Sequence, residues 1–399
     1  MLDQRNLLCI SNPTWEGDYA KTIVELMTVA AEKHKVLYVD YQFTIKDLLF
    51  AFLGKSNAPW KRMLGIESRL RRMELSEHHD VYVLTPPTIL TINFLKDGWL
   101  YRRLLKLNSD IVARSIARAL NKLKMNRDLI LIDAFSPGMG LYNIGRFNET
   151  AHLYHCYDEI GAADWFGVHG ADLERAYMPK VDGVICTSRG LYNTKKAYNK
   201  NTFLVQNGVN FDLFNQGFKD NISEEQKIIG YIGTIDDRMD YELLEKLFAE
   251  YPDWAFHFIG RCNYDKGKQI LSEFPNVKLL GSMPVTSLPE ALAAFHAGLI
   301  PFVKNDFTQG IYPLKINEYL AAGIPVILTR FSDLSEFENI ASICDSPEAF
   351  SSALKKEVEE DTIQRRQERV AIAQRNSWSG RWEEIERIIG EVEAQKAPA

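Results

Sequence analysis

The sequence predicts an α/β chain folded as two doubly wound domains with a cleft between them, and three observations carry that expectation. Its 399 residues exceed one ordinary core, and 46% apolar with 25% charged residues is the composition of a globular protein. Short apolar runs alternate with helix-patterned stretches, which argues for parallel sheets covered by helices. The pattern softens in the polar stretch Asn215–Lys227, and a second α/β series then begins.

Taken in order, strands are expected at Asn6–Ser11, Lys35–Val39, Asp80–Leu84, Leu129–Ile132, Ala151–Cys156, Gly183–Cys186 and Thr202–Val205, with helices such as Ala20–Lys33 and Ile111–Lys122 between them. The loop after the first strand reads S-N-P-T-W-E-G-D. Loops at strand carboxyl ends line the ligand crevice of such sheets, so Gly17 is either a close backbone approach to a ligand or a simple turn. The absence of G-x-G-x-x-G argues against a dinucleotide oxidoreductase. The second series has strands at Ile228–Ile232, Ala255–Ile259, Val277–Leu280, Gly298–Phe302, Val326–Leu328 and Ala341–Cys344. These give Rossmann-like domains over residues 1–215 and 216–375. A charged helical region, Pro347–Gln374, precedes a terminal helix at 376–395. There Trp378, Trp382, Ile385, Ile388 and Ile389 form one apolar stripe, expected to pack back on the first domain.

Residues 43–73 and 99–106 interrupt the pattern. Phe, Trp and Leu are interleaved there with Lys55, Lys61, Arg62, Arg69, Arg71 and Arg72, and with W-L-Y-R-R-L-L-K at Trp99–Lys106. Such segments suit the anionic inner surface of a membrane, or are core helices with solvated arginines; both remain open here.

A net charge of −6 and a pI near 5.9 exclude a nucleic-acid footprint over the whole surface. Cys9, Cys156, Cys186, Cys262 and Cys344 show no metal spacing and read as reduced thiols. M-L-D-Q-R-N enters a strand at once and carries no signal peptide pattern, so a cytoplasmic chain, peripheral on the membrane face, is expected.

The stretch Gly310–Gly323, G-I-Y-P-L-K-I-N-E-Y-L-A-A-G, carries the chemistry. Pro313 suits the first helical position and Gly323 the position past the helix end. Lys315 falls in the first turn, where backbone N–H groups and the helix dipole favour an anion. Glu318 shares its face one turn deeper. A cation at a helix mouth with a carboxylate behind it fits a diphosphate followed by sugar hydroxyls; an exposed ion pair is the plain alternative.

Five landmarks then fall in order: N-G-V-N-F-D-L-F at Asn207–Phe214, G-Y-I-G-T-I-D-D-R-M-D at Gly230–Asp240, F-I-G-R at Phe258–Arg261, the run from Asn276 to Phe302, and P-L-K-I-N-E-Y-L-A-A-G-I-P-V-I at Pro313–Ile327. Together they resemble the retaining GT-B glycosyltransferases of the group 1, family-4-like kind, nearest the branch that builds bacterial exopolysaccharide or teichuronic acid-type chains. The resemblance covers roughly Asp182–Ile327 and is weak over the first 150 residues.

It implies a GT-B architecture and a nucleotide-diphosphate sugar donor, with Glu318 taking the ribose hydroxyls and Arg238 and Lys315 the diphosphate. It places Arg261 and Ser282–Leu288 as the walls of the base pocket, and Gly233, Ile311, Tyr312 and Leu314 as further donor contacts. Gly310 stands where the family has its first glutamate, which leaves the donor sugar open. In the first domain, Tyr157 takes the usual position of a family histidine, and Asp158 and Glu159 are the acids nearest the reaction centre. Asp158 is then an acceptor-activating base, a hydrogen-bonding group at the rim, or a helix cap; His155 reads best as a core histidine.

Two cations at the leaving diphosphate can do the work of a metal, and no D-x-D loop suggests a metal site (Arg238 sits inside D-D-R-M-D), so no metal and no cofactor are expected. The expected partners are the nucleotide-sugar donor and a glycan or polyprenyl-linked acceptor, with no nucleic acid. A nucleotide-sugar epimerase of similar shape and a non-catalytic nucleotide-sugar-binding protein remain as alternatives.

Overall fold

The structure is a computed structural model that describes residues 4–17, 21–76, 79–162, 169–220 and 226–396. Residues 1–3, 18–20 and 221–225 lie outside it. With them go the first residues of the chain, the start of the Ala20–Lys33 helix, and part of the polar stretch.

The chain folds as two compact units, one holding residues up to Gln206 together with those from Trp382 on, the other Asn207–Arg381. The first unit is built on one sheet: β1 (Asn6–Ser11), β2 (Lys35–Val39), β3 (Leu70–Ser76), β4 (His79–Leu84), β5 (Leu129–Ala134), β6 (Ala151–Cys156), β7 (Gly183–Cys186) and β8 (Thr202–Leu204). Their spatial order is β3-β4-β2-β1-β5-β6-β7-β8. All neighbours are parallel except β3, which runs antiparallel to β4 at the edge. The second sheet holds β9 (Ile228–Ile232), β10 (Ala255–Ile259), β11 (Val277–Gly281), β12 (Ala297–Ile300), β13 (Val326–Thr329) and β14 (Ser342–Cys344) in the order β11-β10-β9-β12-β13-β14, all parallel.

Strands such as Leu129–Ala134 are apolar along most of their length because helices cover both sheet faces, and every residue of that strand is buried. In each sheet the order reverses beside the first strand, at β1/β5 and at β9/β12. In open α/β sheets the loops leaving such a reversal hold the ligand.

The structure revises the domain boundary and the reading of residues 70–76, and gives the C-terminal helices, expected as such, their bounds and contacts. The second unit begins at Asn207 rather than at 216, because side chains tie Asn207–Asn215 into it: Asn207 Nδ2 donates to Tyr312 O at 3.0 Å and Asn215 Nδ2 to Ala321 O at 2.9 Å. The terminal helix Trp378–Lys396 joins the first unit from Trp382 onward. Its Glu386 meets His34 Nε2 at 2.8 Å, and Lys396 Nζ meets Asp182 at 2.7 Å. The charged region Pro347–Gln374 is two helices, Pro347–Glu359 and Ile363–Arg375. Finally, Leu70–Ser76 is a strand, so Arg71 and Arg72 are edge-strand residues rather than part of a helix.

Candidate functional site

In the second unit the helix Leu314–Ala321 is built from good helix formers and starts one residue later than expected. Pro313 is extended (φ −76°, ψ 122°) and stands just ahead of the first turn. Gly323 has φ 74°, the left-handed position that ends helices. The buried face of this helix fixes it on the sheet. Tyr319 OH accepts Ile232 N–H at 2.9 Å, and Asn317 Nδ2 donates to Tyr312 OH at 3.0 Å. Lys315 and Glu318 keep the other, half-buried face.

The sheet order then assembles what the chain separates. β9 and β12 are neighbours, so Tyr231 and Phe302, which follows the end of β12, flank the helix mouth. The Lys315 ammonium lies 4.3 Å from the Tyr231 ring centroid and 4.7 Å from that of Phe302, and donates to Tyr231 OH at 3.0 Å. Arg238, from the loop after β9, stacks on the same Phe302 ring at 5.3 Å. Its guanidinium Nε also reaches both Asp236 carboxylate oxygens, at 2.8 and 3.0 Å.

Desolvation, with a smaller contribution from Arg238, pulls the Lys315 ammonium down to about 7; Glu318 and Asp236 work the other way. The Lys315 ammonium is thus held between two aromatic faces, beside a second cation, Arg238, that is largely answered by Asp236.

Gly233 is what lets the lysine in. Its φ is +126°, and a Cβ there would stand 3.0 Å from Lys315 Nζ. Gly233→Ala is therefore expected to weaken nucleoside-diphosphate binding about tenfold or more, since strain of this kind costs on the order of 1–3 kcal/mol. Isothermal titration would measure it, and unchanged affinity would remove Gly233 from the site.

The loop after β10 is stitched to both neighbours, with Ile235 N of the loop after β9 donating to Arg261 O at 2.9 Å and Gly260 N to Gly281 O at the end of β11 at 2.8 Å. The Arg261 side chain is exposed beside Ser282–Leu288, itself exposed or half-buried. Ile311 and Tyr312 point into the core of the unit, at 8% and 4% exposure, so only their backbone is available to a ligand; Leu314 is half-buried. Gly310 closes a single turn, Thr308–Gly310, just ahead of them.

The first unit holds the remaining expected residues. Gly17 has φ 151°, and a Cβ there would stand 2.7 Å from Lys21 Nζ. That ammonium donates to Thr14 O at 2.6 Å, so the glycine is required by the chain's own lysine. Tyr157 and Asp158 follow β6 at its carboxyl end, both half-buried, with the Tyr157 ring 4.5 Å from Phe135 and 5.7 Å from His155. His155 is buried, and burial pushes its imidazole down to about 4, so it is neutral at pH 7. Glu159 is taken by Lys195 at 2.8 Å, which also pairs with buried Glu174 at 2.7 Å, an arrangement that makes Glu159 structural.

Three contributors went unforeseen: Tyr231 and Phe302 around Lys315, and Phe135, whose φ of +58° is strained for a bulky residue. Phe135 lies just past β5, beside the first sheet's reversal. Aromatic residues at strand ends were visible in the sequence; which of them meet was not.

Comparison with known proteins follows this geometry. Residues 226–360 match the family described as Glycosyl transferases group 1, which takes in β9 through the helix Pro347–Glu359. A Bacillus subtilis (strain 168) protein, provisionally named teichuronic acid biosynthesis glycosyltransferase TuaH, is 29% identical over 176 residues. That match covers 41% of this chain and 44% of the relative, less than half of its length.

Among solved structures, a sucrose-phosphate synthase from Thermosynechococcus elongatus has TM-score 0.69 at 16% identity, covering 98% of this chain and 100% of that one. An α,α-trehalose 6-phosphate synthase from Burkholderia multivorans has TM-score 0.68 at 11% identity, covering 99% and 100%. The Anabaena protein HepE, solved with UDP and glucose, has TM-score 0.63 at 13% identity, covering 97% and 99%. At such identities these likenesses establish the shared GT-B fold alone.

Proposed function

We propose that this chain, which carries a group 1 glycosyltransferase domain over residues 226–360, transfers a sugar from a nucleotide diphosphate to a glycan or lipid-linked acceptor in bacterial surface polysaccharide synthesis, on the cytoplasmic face of the membrane. One observation carries the reading: the Lys315 ammonium, clamped between Tyr231 and Phe302 at a helix mouth beside Arg238.

Breaking the bond from the anomeric carbon to the diphosphate builds negative charge on a phosphate oxygen. Cations and N–H groups already fixed in place stabilise that charge without reorganising. Lys315, Arg238 and the first turn of Leu314–Ala321 take this role, and no metal is assigned to it. Glu318, one turn deeper, takes the ribose hydroxyls, and Arg261 with Ser282–Leu288 flanks the base.

On the acceptor side, Tyr157 and Asp158 at the carboxyl end of β6 hold or deprotonate the attacking hydroxyl. Retention of configuration at the anomeric carbon follows the family resemblance. The relative named for teichuronic acid biosynthesis supports a surface-polymer acceptor.

A thermal-shift panel of nucleoside diphosphates and their sugars tests the donor half. A ligand at one hundred times its Kd should add about 2.7 kcal/mol, a readily visible rise in Tm. The stabilising sugar nucleotide is then incubated with acceptor lipids, and the anomeric configuration of the product is read by NMR. No shift with any nucleotide would overturn the assignment. Binding without product from any acceptor would point instead to a non-catalytic sugar-nucleotide receptor.

A further inference from the structure

We propose that the surface formed by Ile45–Ile66 and Phe94–Leu107 in the first unit docks on an anionic lipid bilayer. Among the described residues, sixteen large apolar side chains are exposed, and eleven of them fall in these two segments. A chain that buries its apolar residues elsewhere has left one district uncovered.

The helix Ile45–Phe52 shows the point most plainly. Thr44 and Asp47 cap it reciprocally, with Thr44 N donating to Asp47 Oδ2 at 2.7 Å, so it is a well-started helix. Yet it buries no residue. Ile45, Leu49, Phe52 and Leu53 recur at i, i+4, i+7 and i+8, a single apolar stripe, and they are 44–65% exposed. A helix packed on a sheet would turn that stripe inward; this one turns it to solvent.

The second segment adds Phe94 at 77% and Trp99 at 74%, with Leu100 and Leu107 further along the helix Trp99–Leu123. The two are joined at their base. Ile45 N donates to Ile89 O at 2.9 Å, and Lys46 N to Thr91 Oγ1 at 3.2 Å, just ahead of Phe94.

Charge identifies the occupant. Residues 45–66 carry Lys46, Lys55, Lys61 and Arg62 against Asp47, and residues 94–107 carry Lys96, Arg102, Arg103 and Lys106 against Asp97. Each segment is net positive in a chain whose net charge is −6. Asp47 is committed to its helix cap and Asp97 to Arg102 at 2.9 Å. Glu67 meets Lys61 at 3.7 Å and Glu16 meets Arg62 at 3.4 Å, so the surplus rests on Lys46, Lys55, Lys96, Arg103 and Lys106. Lys46 lies over the Phe50 ring and Lys61 over that of Trp60, so their stems follow the apolar surface while the ammonium groups stay at its rim.

An apolar stripe with cations around it matches the boundary between acyl chains and anionic head groups. A second copy of this chain would bring two positive faces together, which disfavours self-association. For its purpose the surface rests on the reading of a lipid-linked acceptor, which it would bring within reach.

Flotation of the full chain with vesicles tests the surface without any donor. Vesicles of phosphatidylcholine with added phosphatidylglycerol should carry the protein, phosphatidylcholine alone should not, and raising the salt should release it. Phe52→Asp with Leu53→Asp should weaken binding at least tenfold, and Lys46→Glu with Lys61→Glu should remove the preference for phosphatidylglycerol. Ile144→Asp, an exposed apolar residue elsewhere, should change nothing. All these side chains are exposed, so melting curves and nucleoside-diphosphate binding should stay as in the unaltered chain, which separates failure of this surface from failure of the transferase reading.

Absence of vesicle binding, or binding that both double variants retain, overturns the proposal. So does sedimentation showing a dimer that Phe52→Asp with Leu53→Asp breaks while no vesicle is bound.

Discussion

Lys315→Met is expected to lower kcat/KM for the sugar nucleotide by about 10²–10³, the usual cost of removing one preorganised group that meets developing charge. Methionine keeps an unbranched stem between Tyr231 and Phe302, so the clamp stays filled and the loss isolates the charge. Arg238 cannot substitute, because its guanidinium is shared with Asp236.

The same lysine sets the pH dependence. With its ammonium drawn down to about 7, the unliganded protein loses the proton as pH rises past neutrality. Because kcat/KM reports the free enzyme, it should fall about tenfold per pH unit above 7, a limb that Lys315→Met abolishes. Diphosphate binding near pH 8 should take up a proton, seen as a dependence of the titration heat on the buffer's ionisation enthalpy.

The stability effect has the opposite sign. A lysine whose folded value lies below the unfolded ~10.4 leaves the folded state with fewer protons, so this group makes the unliganded protein more stable as pH rises from about 7 to that value. A pH profile unchanged in Lys315→Met would show that the ammonium does not meet the donor.

How much of this was legible in the sequence depends on the range of the interaction. Runs such as Ile228–Ile232 and Ala151–Cys156 were readable because strands buried on both faces are apolar almost throughout. Leu70–Ser76, R-R-M-E flanked by Leu and Ser residues, was not, since a strand at the sheet edge keeps polar residues and looks like the basic segment before it. Lys315 at a helix mouth was a local pattern and could be read. Its clamp could not, because Tyr231 and Phe302 meet it only through the β9/β12 adjacency. Gly17 was ambiguous for the same reason: the lysine that demands it, Lys21, is close in sequence, but only the loop's path brings the ammonium against it. The outward turn of the Ile45–Phe52 stripe was also undecidable, since periodicity locates an apolar face without saying what covers it.

Arg369→Met is expected to cost about 3–5 kcal/mol in the second unit, the range for breaking a buried ion network by removing one partner. Arg369 is 1% exposed, and its guanidinium is divided among Asp361 at 2.7 Å, Glu357 at 3.1 Å and the carbonyl of Gly323 at 3.1 Å. Methionine fills much of the volume but leaves two buried carboxylates short of a cation. Arg365 and Arg366 reach them from their outer sides, at 2.9 and 2.7 Å, and answer only part of that charge.

The Gly323 contact gives the change a wider consequence, because it holds the end of Leu314–Ala321, the helix that presents Lys315. Hydrogen exchange over 314–330 should therefore accelerate in Arg369→Met while exchange in β5 and β6 of the first unit stays slow. Adding Glu357→Gln and Asp361→Asn should restore much of the lost stability, since the stranded charges are then gone. If the single variant exchanges and melts like the unaltered chain, the network is not what fixes the helix. If the triple variant fares no better than the single, the loss comes from packing rather than from uncompensated charge.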